Sequence, residues 1–171
     1  QKEVAKGLSA VIVCPGNVVG GLAMKQSQKN NFQAIANGKM KIYPPGGVCL
    51  TDVDDLVRGM ALCAEKGQSG RRFILGGHNI TFKESFAEIA SASGGNRPWI
   101  RLPGFLLPLA GWIFEIIFTF SNSEPPLNRD TGAMVSKNLY YSSKRAGEEL
   151  GYEIGEWQQA ILKAVKGAGI A

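Results

Sequence analysis

The sequence has few of the residues from which metal centres and disulfide frameworks are built. Its 171 residues include three cysteines and one histidine. Cys14, Cys49 and Cys63 are far apart and have apolar neighbours, so their spacing matches neither a zinc site nor a disulfide framework. His78 stands alone in a Gly-Gly-His-Asn turn. We therefore predict no metal site, interpret the cysteines as small core residues, and expect a reducing, cytoplasmic environment.

The sequence also has no hydrophobic run of the length that crosses a membrane. Its most apolar segment, 105–120, is about 16 residues long and contains Glu115, whereas a bilayer core needs ~20 residues. At helical spacing, one stripe collects Leu106, Leu109, Ile113, Ile116, Ile117 and Phe120. We predict an amphipathic helix whose stripe is buried against the domain, and we do not expect membrane contact. Shallow contact through Trp112 and Phe114 is the less favoured alternative.

Acidic residues are scarce at the start of the chain, where Glu3 stands against six lysines up to Lys41. The whole chain has 19 Lys and Arg against 14 Asp and Glu, a formal net charge of +5. Such a charge favours anionic partners, but no aromatic residues alternate with these lysines to stack on bases. We therefore expect a solvated basic face and no nucleic-acid partner, with salt-sensitive nucleic-acid binding as a minor alternative.

The chain begins without a signal-peptide pattern. Its first residue is Gln1, and residues 1–6 have the pattern of a last helical turn that Gly7 caps. We therefore expect a fragment of a longer protein. The hydrophobic fraction of 44% is enough for one core in a chain of this length.

The stretch 10–20 organises the rest of the chain. Its apolar, β-branched residues end abruptly in Pro15, Gly16 and Asn17. This pattern predicts a strand that is buried on both faces and delivers a turn at its carboxyl end. Ligands of open α/β sheets bind at such carboxyl ends, so the turn is a candidate ligand site. The alternative is that Pro-Gly-Asn only ends the strand.

Short apolar strands alternate with amphipathic helices through the rest of the chain. We predict strands at 41–43, 48–51, 71–75 and 139–141. We predict helices at 23–36, 52–66, 81–93, 105–120, 128–136, 143–150 and 156–166. Thr81 and Glu84 have the spacing of a capping box at the start of the third helix.

The predicted helix 52–66 begins in a cluster of acids. Asp52, Asp54 and Asp55 are interpreted as residues that cap the positively polarised helix N-terminus, rather than as metal ligands. Further along, apolar residues recur at three-and-four spacing, namely Val53, Leu56, Val57, Met60, Ala61 and Ala64. These residues share one face of the predicted helix.

Four segments match the motifs of one enzyme family, in the family's order. Residues 10–20 resemble a Pro-x-x-Val-x-Gly turn, and residues 48–56 resemble a hydrophobic-x-Asp-Val-x-Asp element. Residues 73–81 are similar to Tyr-Ile-Leu-Gly-Gly-x-Asn-hydrophobic-Thr, and residues 141–152 are similar to a closing Ser-Ser-Lys-Ala…Glu-Leu-Gly-Tyr signature. Together they resemble the C-terminal half of an extended short-chain dehydrogenase/reductase. That family contains sugar epimerases and dehydratases, dihydroflavonol reductases and sterol dehydrogenases.

The resemblance implies an α/β fold. It would consist of the C-terminal portion of a Rossmann-like parallel sheet, meaning the last strands, plus a small, mainly helical substrate domain. Residues 1–38 and 68–95 would form the end of the dinucleotide-binding fold. Residues 39–67 and 96–171 would supply elements of the substrate domain.

The resemblance also implies a cofactor, NAD or NADP, in the complete enzyme. The turn after the first strand would touch its nicotinamide end, where Pro15, Gly16 and Val18 shape the pocket. Asn17 would face the carboxamide or the substrate, because an amide both donates and accepts hydrogen bonds. These four are the candidate cofactor-binding residues, and Asn17 is also the candidate substrate contact.

Two motifs of such enzymes are absent. There is no Gly-x-x-Gly-x-x-Gly turn to hold the cofactor pyrophosphate. The Tyr-x-x-x-Lys pair has only a literal match in Tyr140 and Lys144, because Ser142 and Ser143 would cap a helix there and leave Tyr140 outside it. We therefore expect no catalytic residue in this chain, no stable cofactor binding, and no activity without an N-terminal half.

A third difference between this sequence and the family's motifs concerns the substrate. Pro-Pro-Gly-Gly at 44–47 stands where nucleotide-sugar enzymes of the family carry an arginine for the diphosphate. We expect the complete enzyme, an oxidoreductase or epimerase, to transfer hydride on a hydroxyl or carbonyl of a small molecule that is not a nucleotide sugar. The rival hypothesis is a non-catalytic binding module derived from this fold, which covers its open strand edges by forming homo-oligomers such as dimers.

Overall fold

The structure, a computed structural model, describes residues 2–21, 24, 26–118 and 128–170. The described strands are β1 (Ile12–Pro15), β2 (Asn17–Val19), β3 (Ile42–Tyr43), β4 (Gly47–Asp52), β5 (Arg72–Leu75), β6 (His78–Thr81), β7 (Ile100–Arg101) and β8 (Asn138–Leu139). The described helices are α1 (Gln26–Ala36), α2 (Val53–Lys66), α3 (Phe82–Ser93), α4 (Leu106–Phe118), α5 (Arg129–Val135), α6 (Lys144–Leu150) and α7 (Trp157–Gly167), with a 3-10 turn at Val4–Lys6. The predicted α/β class is confirmed.

Parallel pairing dominates the described sheets. β1 pairs with β5 in a two-stranded parallel sheet that aligns Ile12 with Arg72 and Pro15 with Leu75. β4 is the centre of a second sheet, in which β2 and β8 run parallel to it and β6 runs antiparallel. β3 and β7 form a third, short parallel pair. The chain passes from the first sheet into the second at Gly16.

The β1–β5 sheet is covered on one face. The buried cluster on that face consists of Cys63, Phe73, Leu75, Ala146, Leu150 and Tyr152. Val11 and Val13 also pack on this cluster, whereas Ile12 is 42% exposed. The prediction of a strand buried on both faces is therefore wrong, because α2 and α6 supply cover for only one side of the two strands.

The larger core lies between the β4 sheet and helices α1, α3 and α7. Its buried members are Val19, Met24, Phe32, Ile35, Leu50, Ile80, Ile89, Ala90, Ala160, Ile161, Ala164 and Val165. In the last helix, where the apolar pattern predicts that Trp157, Ile161 and Val165 are buried, Ile161 and Val165 are fully buried and Trp157 is partly buried. α1 is mostly polar, but its apolar residues Phe32 and Ile35 reach this core and anchor the helix, and Met24, which precedes the helix, reaches the same core.

The buried face of α2 is not the face that collects most of its apolar residues. Val57 and Met60, which share that apolar face, are 61% and 51% exposed. The buried face runs instead through Asp55 and Gly59. Gly59 permits this because a Cβ at that position would lie 2.7 Å from the ring of Tyr152, so only glycine allows so close a packing.

Two helices begin with the predicted capping chemistry. Asp52 is the N-cap of α2 and accepts a hydrogen bond from the Asp54 amide at 3.1 Å. Thr81 and Glu84 form a complete capping box at α3, with each side chain accepting from the other residue's amide. Hydrogen bonds from the Thr81 hydroxyl and amide lower the pKa of Glu84.

α4 presents its apolar stripe to solvent. Leu109, Ile113 and Ile116 are each about half exposed, so the prediction that this stripe is buried against the domain is wrong. The helix packs chiefly on α5, which covers its other side. Phe120 and the Ile117 side chain, also assigned to the stripe, lie outside the described residues. Within the part of the chain that the structure describes, no helix is long and apolar enough to span a bilayer.

Candidate functional site

The predicted ligand-facing turn joins the two larger sheets. β1 ends at Pro15, opposite Leu75, and β2 begins at Asn17, opposite Leu50. Between them, the Gly16 amide donates a hydrogen bond to the Leu75 carbonyl oxygen at 3.4 Å. Strand pairing therefore holds the backbone of the turn on both sides.

Gly16 lies directly on β4. A Cβ there would be 2.7 Å from Thr51 Oγ1 and equally close to the β4 backbone, so a side chain does not fit. Pro15 and Asn17 are exposed, and Val18 is half-buried. The structure thus brings the four predicted residues together at the carboxyl end of β1, with the Asn17 amide open to solvent.

A lysine from α7 binds the start of α2. Lys163 Nζ lies 2.8 Å from Asp52 Oδ2 and 2.5 Å from Asp54 Oδ2. Hydrogen bonds to Asp52 and Asp54 raise the pKa of Lys163 to about 12, and the same lysine lowers the pKa of Asp54. Asp52 and Asp54 therefore interact with the N-terminus of α2 and with Lys163. The described residues hold no group of His, Cys, Asp and Glu arranged for a metal ion.

Asp55 is a buried carboxylate that ties α2 to the segment after α6. It is 3% exposed, accepts a hydrogen bond from the Gly155 amide at 2.8 Å, and pairs with Arg58. Burial, with the Asp55 charge as a second cause, raises the pKa of Tyr152 to about 12. Tyr152 Oη and Thr51 Oγ1 are buried without a hydrogen-bond partner among the described residues. Because the Asp55 carboxylate is buried and paired, we assign it to holding α2 against the segment after α6 rather than to contacting a surface ligand.

Residues of the Gly-Gly-His-Asn segment hydrogen-bond to the residues that precede α6. Asn79 Nδ2 donates to the Tyr141 carbonyl oxygen at 3.0 Å, and the Tyr141 amide donates back to Asn79 Oδ1 at 3.1 Å. Ser143 Oγ donates to the Gly76 carbonyl oxygen at 2.9 Å, and His78 Nε2 lies 2.9 Å from a backbone carbonyl oxygen. Sequence reasoning missed this role of Asn79, although an asparagine within a strand is itself a signal, because strands disfavour that residue.

Tyr140 and Lys144 lie in different surroundings. Lys144 is the first residue of α6, and its Nζ lies 3.7 Å from the carboxylate of Glu148. Tyr140 stands outside the helix, as predicted, and its hydroxyl would lie 2.5 Å from a Cβ on Gly47 at the start of β4. The structure therefore gives no helix turn that aligns this tyrosine with this lysine.

Two curated proteins match nearly the whole chain, whereas no protein-family model matches it. A protein of Synechocystis sp. that bears the name dihydroflavonol 4-reductase is 27% identical over 165 residues, which are 94% of this chain and 48% of the relative. Sterol demethylase protein B of Methylococcus capsulatus is 24% identical over 166 residues, which are 95% of this chain and 51% of the relative. The chain thus spans about half the length of the curated relatives that it matches.

Solved structures give the same result. The crystal structure of gox2253 is 30% identical, with a TM-score of 0.76, and the match covers 96% of this chain and 52% of that one. A nucleoside-diphosphate-sugar epimerase from Pseudomonas aeruginosa is 24% identical, with a TM-score of 0.70 over 96% of this chain and 49% of the epimerase, a likeness of fold. The Rossmann-like fold class is confirmed, and the chain matches the C-terminal part of proteins of the dihydroflavonol reductase and NAD-dependent epimerase/dehydratase type.

Proposed function

We propose that this chain is the substrate-binding part of an NAD(P)-dependent oxidoreductase or epimerase that transfers hydride on a hydroxyl or carbonyl group of a small molecule. The observation that carries the proposal is the extent of the match. It covers 96% of this chain against gox2253 at 30% identity, and the named relatives include a reductase. The complete activity needs residues equivalent to the unmatched half of those relatives.

In this proposal the turn after β1 forms one wall of the nicotinamide pocket. Pro15, Gly16 and Val18 shape that wall, and Asn17 hydrogen-bonds the carboxamide or the substrate. The exposed Asn17 side chain supports the assignment, because an amide offers a donor and an acceptor together. The close contact of Gly16 with β4 holds the backbone of the turn in place. When bound, the nicotinamide supplies or receives the hydride, and these residues orient it.

The residues present fit only the nicotinamide end of such a cofactor. The sequence has no glycine-rich turn that could hold a pyrophosphate against a helix N-terminus. We therefore expect the chain alone to show no saturable binding of NAD or NADP in a titration, and no change in nicotinamide absorbance with carbonyl or alcohol substrates. Robust turnover by the chain alone would refute the proposal that activity needs an N-terminal half.

The proposed substrate is not a nucleotide sugar. The place of a diphosphate-binding arginine is taken by Pro-Pro-Gly-Gly at 44–47, where the amides of Gly46 and Gly47 donate to the carbonyl oxygens of Val135 and Lys137 at 3.2 Å each. A Cβ on Gly46 would overlap the Lys137 carbonyl oxygen, so a longer side chain does not fit there. Competition assays in the completed enzyme test this: apolar carbonyl compounds should be turned over, and nucleoside-diphosphate sugars should neither react nor inhibit.

A second candidate function is a non-catalytic module that self-associates. The observation that favours it is the β1–β5 sheet, which pairs with no further described strand and leaves Ile12 exposed on its open face. Parallel sheets are normally covered on both faces. Light scattering should then find a homo-oligomer, and a monomer at working concentration would count against the module. The coding sequence before Gln1 separates the two proposals, since a glycine-rich turn and Tyr-x-x-x-Lys there would indicate the enzyme.

A further inference from the structure

One face of α4, together with Phe105 directly before the helix, is an unbroken row of large apolar side chains at the surface. The exposed fractions are 75% for Phe105, 50% for Leu109, 51% for Trp112, 45% for Ile113 and 47% for Ile116. Their spacing of four, three, one and three residues puts them on a single side of the helix. If each such side chain presents ~200 Å² when fully open, the row exposes about 500 Å², which is more than isolated surface hydrophobics account for.

The only charged residue of α4 points away from this row. Glu115 Oε1 accepts a hydrogen bond from the Arg129 amide at 2.9 Å, so it faces the N-terminus of α5. The two helices touch at glycine: a Cβ on Gly132 would lie 2.7 Å from the Leu107 carbonyl carbon, and one on Gly111 would lie 2.6 Å from the Arg129 backbone nitrogen. This close contact fixes the rotation of α4, so the apolar row stays outward.

Four cations lie on or beside the β3–β7 pair, from which the chain enters α4. Lys83 and Arg101 line a cleft of about 210 Å³ beside Pro45, and a Cβ on Gly104, next to Phe105, would lie 3.3 Å from that proline. Lys41 and Arg97 line a second cleft, of about 310 Å³, together with Trp99, which is 73% exposed. None of these four cations forms an ion pair with a residue that the structure describes.

We propose that the α4–α5 hairpin docks on the surface of an anionic lipid bilayer. The apolar row enters the boundary between headgroups and acyl chains, and the four cations contact headgroup phosphates. A helix of this length lies in the plane of the interface, because its 13 residues extend only about 20 Å. A second copy of the chain is a poorer occupant, because about 500 Å² falls below the ~800 Å² per partner of a standard protein interface.

Vesicle flotation tests the proposal on this chain as it stands. Vesicles of phosphatidylcholine with phosphatidylglycerol should bind the chain more tightly than vesicles of phosphatidylcholine alone. The difference should shrink as salt rises, because salt screens the cations from the headgroups. Absence of binding to both kinds of vesicle would overturn the proposal.

Paired substitutions identify the surface that binds. Leu109→Gln with Ile113→Gln should weaken binding to the anionic vesicles about tenfold or more, because it puts amides where apolar side chains enter the lipid. The matched control is Val57→Gln with Met60→Gln on α2, which removes an apolar pair of similar exposure elsewhere and should leave binding unchanged. Equal losses in both pairs, or no loss in the first, would contradict the assignment.

Charge substitutions test the cationic part separately. Lys83→Gln with Arg101→Gln should reduce the preference for anionic vesicles several-fold and leave binding to neutral vesicles unchanged. Lys166→Gln on α7 is the control and should have little effect. Light scattering of the same variants tests whether a second copy of the chain occupies this face. If the chain is a dimer that Leu109→Gln with Ile113→Gln dissociates, and it does not bind vesicles, the lipid proposal is overturned.

Discussion

Single glycines determine how closely the strands and turns of this chain pack. Gly77, between β5 and β6, is the clearest case: a Cβ there would overlap the Leu50 carbonyl oxygen and lie 3.0 Å from the Thr51 Cα, both in the backbone of β4. Gly77→Ala should lower the free energy of unfolding by about 1–3 kcal/mol in urea denaturation, because backbone atoms cannot move aside easily. Gly147→Ala in α6 is the control.

The control, Gly147→Ala, should raise the free energy of unfolding instead of lowering it. A Cβ on Gly147 would meet the Tyr152 carbonyl oxygen at an ordinary 3.5 Å, and alanine is favoured over glycine within a helix by ~0.5–1 kcal/mol. Similar destabilisation by both substitutions would mean that crowding at Gly77 is not the cause.

The hydroxyl of Tyr152 is predicted to cost stability. It is buried without a hydrogen-bond partner among the described residues, and an unpartnered polar group costs about 1–3 kcal/mol. Tyr152→Phe should therefore leave the free energy of unfolding at neutral pH unchanged or higher. A loss of more than ~1 kcal/mol there would contradict this, because it would show that the hydroxyl makes a favourable bond.

Tyr152→Phe should also change how the free energy of unfolding depends on pH in the alkaline range. Burial raises the pKa of Tyr152 from 10.0 to about 12, so its ionisation leaves the free energy of unfolding unchanged below pH 10 and lowers it as the pH rises from 10 toward 12. Tyr152→Phe removes this loss, and its free energy of unfolding should fall less steeply in that window. Some slope should remain, because the raised pKa of Lys163 adds a loss in the same direction. Urea denaturation at neutral and alkaline pH measures both effects.

At the scale of elements, two glycines set how closely the helices of the α4–α5 hairpin pack. Gly132→Ala should push α4 away from α5, since the new Cβ would overlap the Leu107 carbonyl oxygen. Amide exchange in both helices should then accelerate, while exchange in the core strand β4 and in α7 stays slow. Gly147→Ala should leave exchange in the hairpin as it is. An unchanged hairpin in Gly132→Ala would show that the crossing does not require glycine.

The elements also show how far sequence periodicity reaches. Alternation of strands and helices, the capping box of Thr81, and the N-cap role of Asp52 were predictable because they depend on neighbours in the sequence. The buried faces of α2 and α4 were not. In α2 the close approach at Gly59 and the paired charge of Asp55 decide which face is buried, and both depend on residues about 100 positions away.

At the candidate site, the sequence predicted the turn after β1 but not the contacts that hold the turn and its surroundings in place. Pro15 and Asn17 stand where the end of a β-branched run suggested. The contact of Gly16 with β4 arises only when distant strands pair, and the contact of Lys163 with the start of α2 arises only when α7 packs on the sheet. The resemblance to a family supplied the possible role of the turn, because no local pattern distinguishes a strand end from a pocket wall.

At the scale of the whole molecule, the central claim is that this chain supplies one wall of a nicotinamide pocket and needs an N-terminal half for activity. Joining the chain to the N-terminal half of the Synechocystis relative tests it. The joined protein should oxidise reduced nicotinamide with a carbonyl substrate, whereas the chain alone should not. Asn17→Ala in the joined protein should lower kcat/KM about tenfold, the effect of losing a hydrogen bond of ~1.4 kcal/mol.

The matched variant is Asn138→Ala, an exposed asparagine at the opposite end of β4, which should leave kcat/KM unchanged. The decisive measurement is therefore the rate of nicotinamide oxidation by four proteins: the chain, the joined protein and its two asparagine variants. The account predicts no rate for the chain, a rate for the joined protein, and a loss with Asn17→Ala only. Equal rates for the chain and the joined protein, or no effect of Asn17→Ala, would contradict it.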